Sequence, residues 1–77
     1  MVKERIKELI KFRVDFEVIK ENGLVLTFRF WGGVYQILHY NRVIDSYPPN
    51  TLTALIDKPK LVIKQVRQIA LFDTVVF

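Results

Sequence analysis

The stretch that decides the fold is Val14-Asp15-Phe16-Glu17-Val18-Ile19-Lys20-Glu21-Asn22-Gly23-Leu24-Val25-Leu26-Thr27-Phe28-Arg29-Phe30-Trp31-Gly32-Gly33-Val34. Val14, Phe16 and Val18 alternate with Asp15 and Glu17, and beyond Asn22-Gly23 the residues Leu24, Leu26, Phe28 and Phe30 alternate with Val25, Thr27 and Arg29. A period of two around a turn signal is a β-hairpin. Its register follows from keeping like faces together. A two-residue Asn22-Gly23 loop sets Phe16 against Arg29 and Val18 against Thr27. A three-residue loop, Glu21-Asn22-Gly23, sets Val18 against Leu26, Phe16 against Phe28, Val14 against Phe30 and Asp15 against Arg29. The three-residue loop is therefore expected, with Gly23 in the left-handed position of a G1 bulge.

Outward from this hairpin, Gly32-Gly33 predicts a second tight turn, pairing Phe30 with Tyr35, Phe28 with Ile37 and Trp31 with Val34. A turn at Asn41-Arg42 opens a fourth strand over Val43 to Tyr47, unless the third strand simply continues as one long bent strand. Upstream, Val2 to Phe12 reads as an amphipathic helix, with Val2, Ile6, Leu9 and Ile10 on one stripe. Downstream, Pro48-Pro49 ends the sheet, and Asn50 or Thr51 caps a short helical turn through Ile56. Asp57 caps a second helix running to about Leu71, with Val62, Ile63, Val66, Ile69 and Ala70 as its buried stripe. Asp73 to Phe77 reads as an edge strand or a docked terminus. The expected architecture is a single α+β domain over residues 1–77: a small two-layer sandwich with an N-terminal helix, a three- to four-stranded antiparallel sheet and a C-terminal helix.

Composition narrows the class. The 77 residues contain no Cys, so neither disulfides nor a thiolate metal site can stand in for an apolar core. Apolar residues make up 51% of the chain, which supplies that core and excludes disorder. It also leaves apolar surface over, because a domain this small buries only ~60% of what its unfolded chain exposes. No run approaches the ~18 apolar residues of a membrane helix. The basic start, Met1-Val2-Lys3-Glu4-Arg5, lacks the apolar stretch of a signal peptide, so a cytoplasmic location is expected.

Catalytic and metal chemistry find little to work with. The one His, His39, falls on a strand among apolar neighbours without a placed partner. The one Ser, Ser46, lacks a nucleophile-elbow setting. Asp45 and Asp57 carry no metal-ligand spacing, and the glycines form neither a phosphate loop nor a dinucleotide fingerprint. The expectation is a non-enzyme with no cofactor, no metal and no small-molecule substrate.

Two constellations point to macromolecules instead. The net charge of +4 leans toward anionic partners. Lys3, Lys7 and Lys11 line one side of the first helix, and Lys60, Lys64 and Arg67 line the second, with Arg42 in support. Together they would suit nucleic-acid phosphates, although the ordinary reading of both stripes is a solvated helix face. The sheet's second face is the other constellation: Ile19, Val25, Trp31, Val34, Leu38 and Tyr40 mingle there with charged residues. A solvent face alternates to polar residues more cleanly than this. The expected function is a small interaction module that self-associates as a dimer through that face or docks another protein. The alternative is a basic nucleic-acid-binding protein.

Overall fold

The structure, a computed structural model, describes residues 2–69. In chain order the elements are α1 (Val2–Lys11), β1 (Phe16–Lys20), β2 (Val25–Trp31), β3 (Val34–His39), β4 (Arg42–Tyr47), α2 (Pro49–Ile56) and β5 (Ile63–Gln68). The strands form one antiparallel sheet in the order β4-β3-β2-β1-β5. The class is α+β, with five strands rather than three or four.

α1 forms because its apolar residues recur at helical spacing, and Ile6, Leu9 and Ile10 are buried on that stripe. It stops where Arg13 turns left-handed at φ 59. The Arg13 N–H then bonds to the Ile10 carbonyl and the Val14 N–H to the Leu9 carbonyl, the paired bonds of a Schellman cap. The Arg13 guanidinium reaches back to the Ile10 carbonyl at 2.7 Å, which partners a cap usually made by glycine.

Both glycine-turn hairpins have the expected registers. Phe16 faces Phe28 and Val18 faces Leu26 around the three-residue loop; Phe28 faces Ile37, Phe30 faces Tyr35 and Trp31 faces Val34 around Gly32-Gly33. The ladder stops at Phe16, so neither Val14 with Phe30 nor Asp15 with Arg29 pairs in it; the Asp15 carboxylate instead accepts the Phe30 N–H at 2.9 Å. Gly23 has φ 89, and a Cβ there would meet nothing within 4 Å. The cost of a side chain at this site is therefore conformational alone. Gly23→Ala should lower stability by ~1 kcal/mol; an unchanged urea midpoint would contradict the bulge.

The turn into β4 falls one residue earlier than expected. Tyr40 and Asn41 are its two central residues, with φ 53 and 63, so His39 faces Arg42 and the strand begins at Arg42. The third strand is not one long bent strand. β4 is separate and carries a bulge: Leu38 faces Val43 while Ile37 faces Asp45, leaving Ile44 as the extra residue.

The expected second helix is the principal correction. Asp57 does not open a helix; it closes α2. Residues 63–68 are strand β5, which pairs with β1 through Val66 against Val18 and Arg67 against Glu17. The apolar spacing misleads here for a definite reason. Ile19 faces Gln65 while Lys20 faces Ile63, so Lys64 is an extra bulge residue. The bulge places Ile63 and Val66, three residues apart, on one face of a strand, where both pack against the core. Three-residue spacing otherwise signals a helix. Pairing also satisfies the outer backbone groups of β1, which a helix would leave without partners. Ala70, Leu71 and the predicted tail strand Asp73–Phe77 lie outside the described residues.

The core lies between the helices and one face of the sheet. Ile6, Leu9 and Ile10 of α1 and Leu52 and Ile56 of α2 pack against Phe16, Val18, Phe28, Tyr35 and Ile37. Phe16 stacks on Phe28 with centroids 4.8 Å apart, and Tyr35 meets both Phe16 and Phe30. The buried Tyr35 hydroxyl donates toward the Val14 carbonyl at 2.8 Å and lies 3.3 Å from that of Leu9, tying the end of α1 to the sheet.

Burial, with the negative charge of Asp15 in support and Arg13 opposing, pushes the Tyr35 pKa from its ordinary value of 10.0 up to about 12. The folded state thus keeps a proton that the unfolded chain gives up. This contribution to stability is fully present below pH 10 and is lost as pH rises toward about 12. Tyr35→Phe should remove that component of the alkaline decline. Urea midpoints of both proteins across this range check it, and parallel declines would contradict it.

Candidate functional site

With both helices on one face, the other face of the sheet carries no second layer among the described residues. Strand parity and register assign its members. Arg29 faces Gln36, Trp31 faces Val34, Thr27 faces Leu38 and Ile19 faces Val25, all on the side opposite the core residues Phe16, Phe28, Tyr35 and Ile37. Five of the six residues expected at a protein interface, Ile19, Val25, Trp31, Val34 and Leu38, therefore share this face. The sixth, Tyr40, lies in the β3–β4 turn. It borders the face through a cleft of about 270 Å³ lined with Gly23, Val25, Thr27 and His39, and its ring centroid lies 4.3 Å from that of His39.

Exposure is uneven across the patch. Trp31 is 67% exposed and Tyr40 and Val25 are exposed, whereas Ile19 and Val34 are half-buried. Leu38 is only 8% exposed and acts as the floor of the patch rather than as a contact. Trp31 stands out because the Gly32-Gly33 turn brings no side chain over it and its cross-strand neighbour is the smaller Val34. The charges on this face are partnered within the chain. The Arg67 guanidinium pairs with Glu17 directly across the β1–β5 ladder, with Nε 3.0 Å from Oε1. Arg29 donates to the side chain of Gln36 at 2.8 Å. The face is therefore mixed, with its apolar residues set among charges that are already neutralised or hydrogen-bonded.

The basic residues do not assemble into one surface. Lys3 and Lys7 turn toward the connection between α2 and β5: Lys3 Nζ donates to the Lys58 carbonyl at 2.7 Å, and Lys7 pairs with Glu4 at 2.9 Å and Asp57 at 3.0 Å. Those hydrogen bonds, Glu4 first and then Asp57, raise the Lys7 pKa. Lys11 is exposed near the end of α1. Lys60 lies in the turn before β5, Lys64 is the β5 bulge, and Arg67 is on the open face. Arg42 belongs to β4, at the opposite edge of the sheet. The helical stripe of Lys60, Lys64 and Arg67 disappears with the helix that would have carried it.

A second cleft, about 480 Å³, opens between the start of α1 and the segment before β5, with Val2, Lys3, Glu4, Asp57, Leu61 and Val62 among its lining. Its charged side chains are those already tied together by Lys3 and Lys7. Among the described residues no group of three or more His, Asp or Glu side chains is placed to hold a metal, and no helix is long and apolar enough to cross a membrane.

Two features escape the sequence reading: the Glu17–Arg67 pair and the exposed Val43 and Ile44 of β4. The first becomes visible only once residues 63–68 are a strand beside β1. The second follows from β4 being an outer strand, for which an unbroken Val43-Ile44 pair was the available signal. No protein-family model matches this chain, nor does any curated protein or any solved structure.

Proposed function

We propose that the chain is a small non-enzymatic interaction module that works by macromolecular binding and self-associates through the open face of its sheet. The observation that carries this reading is Trp31, exposed beside Val34 at one end of a face whose other end carries Val25 and Ile19, with the hydrogen-bonded Arg29 and Gln36 between them. Exposed apolar patches of this kind mark interaction sites in soluble proteins. A second copy is the occupant that fits best. Glu17 and Arg67 neutralise each other and Arg29 is hydrogen-bonded to Gln36, so apolar side chains are what the face has left to offer, and the same apolar residues can be matched from both copies across a two-fold axis. Size supports it as well. Strands ~4.8 Å apart and ~20 Å long give a five-stranded footprint of roughly 500 Å². Protruding side chains enlarge that toward the ~800 Å² per partner of a standard interface. A cytoplasmic setting, where a chain without cysteines loses nothing, is part of the same proposal.

The test is sedimentation equilibrium of the purified chain over a range of concentrations, at low and high salt and free of nucleic acid. Association through apolar burial should persist or strengthen as a kosmotropic salt such as sulfate is added. Dissociation by salt would contradict the reading. So would assembly that requires added DNA or RNA at low salt, which would return the weight to the lysines and arginines.

A further inference from the structure

We infer that β4 is a second, independent self-association surface, pairing antiparallel with β4 of another copy so that the two sheets join edge to edge. The two outer strands differ in what they present. β5 carries Lys64 and Arg67 and no acidic residue, so two copies of it would bring like charges together. Lysine and a bulge on an outer strand are the usual protection against pairing. β4 has a bulge too, but no Lys and no Pro. It exposes Val43 by 46% and Ile44 by 54%, and carries one cation, Arg42, and one anion, Asp45.

The hairpin fixes which groups of β4 point outward. His39 and Arg42 flank a two-residue turn and direct their backbone groups at each other. Val43, next along, therefore directs its N–H and C=O away from β3. Beyond the bulge, the Ser46 N–H is held by the Asp45 carboxylate at 2.9 Å, a local bond that leaves it out of the ladder with β3. Val43 thus offers its backbone to another strand outright, and Ser46 joins it by passing its N–H from the Asp45 carboxylate to the new partner, which frees that carboxylate oxygen for a cation. Both belong to the open face, since Val43 is opposite Leu38 and Ser46 opposite Gln36.

Pairing Val43 with Ser46 of the second copy keeps the faces of the two sheets continuous. The same register sets Arg42 opposite Tyr47 of the second copy, beside the Asp45 that accepts that tyrosine's hydroxyl at 2.5 Å. All three are on the helix side, because they stand opposite His39, Tyr35 and Ile37. Each cation then meets the other copy's carboxylate, twice across the axis, and Ile44 comes close to Ile44 of the second copy. That charge complementarity selects a second β4 as the occupant. The arrangement also closes on itself, whereas β4 pairing with β5 would run on without end.

This interface does not depend on the open face, and the two can be separated by sedimentation velocity on the full chain. If both operate, the wild type forms a species of four chains or more, Ile44→Glu and Trp31→Ala each reduce it to two chains, and the double variant is a single chain. Ile44→Glu should weaken the edge contact at least tenfold, because this register sets residue 44 opposite Asp45 of the second copy. If Ile44→Glu leaves the wild-type species unchanged, the edge proposal is overturned whatever Trp31→Ala does. If only Ile44→Glu dissociates the wild type, the edge stands and the open-face reading fails. A wild type that is a single chain overturns both. Should circular dichroism show Ile44→Glu to be unfolded, the charge pair decides: Arg42→Asp must weaken association and adding Asp45→Arg must restore it. Failure of that rescue overturns the edge proposal.

Discussion

Phe16→Ala should destabilise the fold by ~3–5 kcal/mol, the usual cost of removing a fully buried phenyl ring. Phe16 has no exposed surface, stacks on Phe28 at 4.8 Å and meets Tyr35 at 5.7 Å. It lies on β1, between β2 and β5, so α1 and the central strands converge on its ring. Chains of 77 residues have a total stability of roughly 4–12 kcal/mol at the usual 0.05–0.15 kcal/mol per residue. The loss is thus roughly a quarter or more of the total, and at the lower end of that range it unfolds the variant at ambient temperature. Urea denaturation followed by circular dichroism gives the difference directly. A change below ~1 kcal/mol would mean that the ring is not in the core, and with it the β1–β2 register would fall.

The sheet was legible wherever the chain kept a period of two and glycine set the turns. Gly23 and Gly32-Gly33 take positive φ, as the loop lengths chosen by like-face matching require, and every apolar pair from Phe16–Phe28 to Trp31–Val34 follows. The five face residues from Ile19 to Leu38 were legible for the same reason, since parity alone puts them opposite the core. Two bulges defeated the same reasoning further on. At Lys64 an extra residue made Ile63 and Val66 repeat at three, which mimics a helix, and the lysine stripe drawn on that helix went with it. At Ile44 an extra residue broke the alternation of β4, and Tyr40, with its bulky side chain, occupies a positive-φ position that propensity assigns to other residues. A bulge is decided by the neighbouring strand, so local pattern cannot reveal it. How deeply Leu38 lies is also a property of its neighbours rather than of its own position.

If the open face is where a second copy binds, Trp31 is the side chain whose removal shows it. Because this side chain is exposed in the single chain, its removal should leave the fold within ~1 kcal/mol of wild type. In an interface the same ring would be an anchor, since large aromatics dominate binding energy at interface centres. Trp31→Ala thus separates fold from assembly. Sedimentation equilibrium of wild type and variant at matched concentrations, with far-UV circular dichroism on both, is the direct measurement. The wild type should be self-associated, and the variant's particle mass should fall by half while its spectrum is unchanged. A variant with the wild-type mass, or a wild type that remains a single chain at high concentration, would contradict this expectation. So would a variant that unfolds, because Trp31 would then belong to the protein's own core.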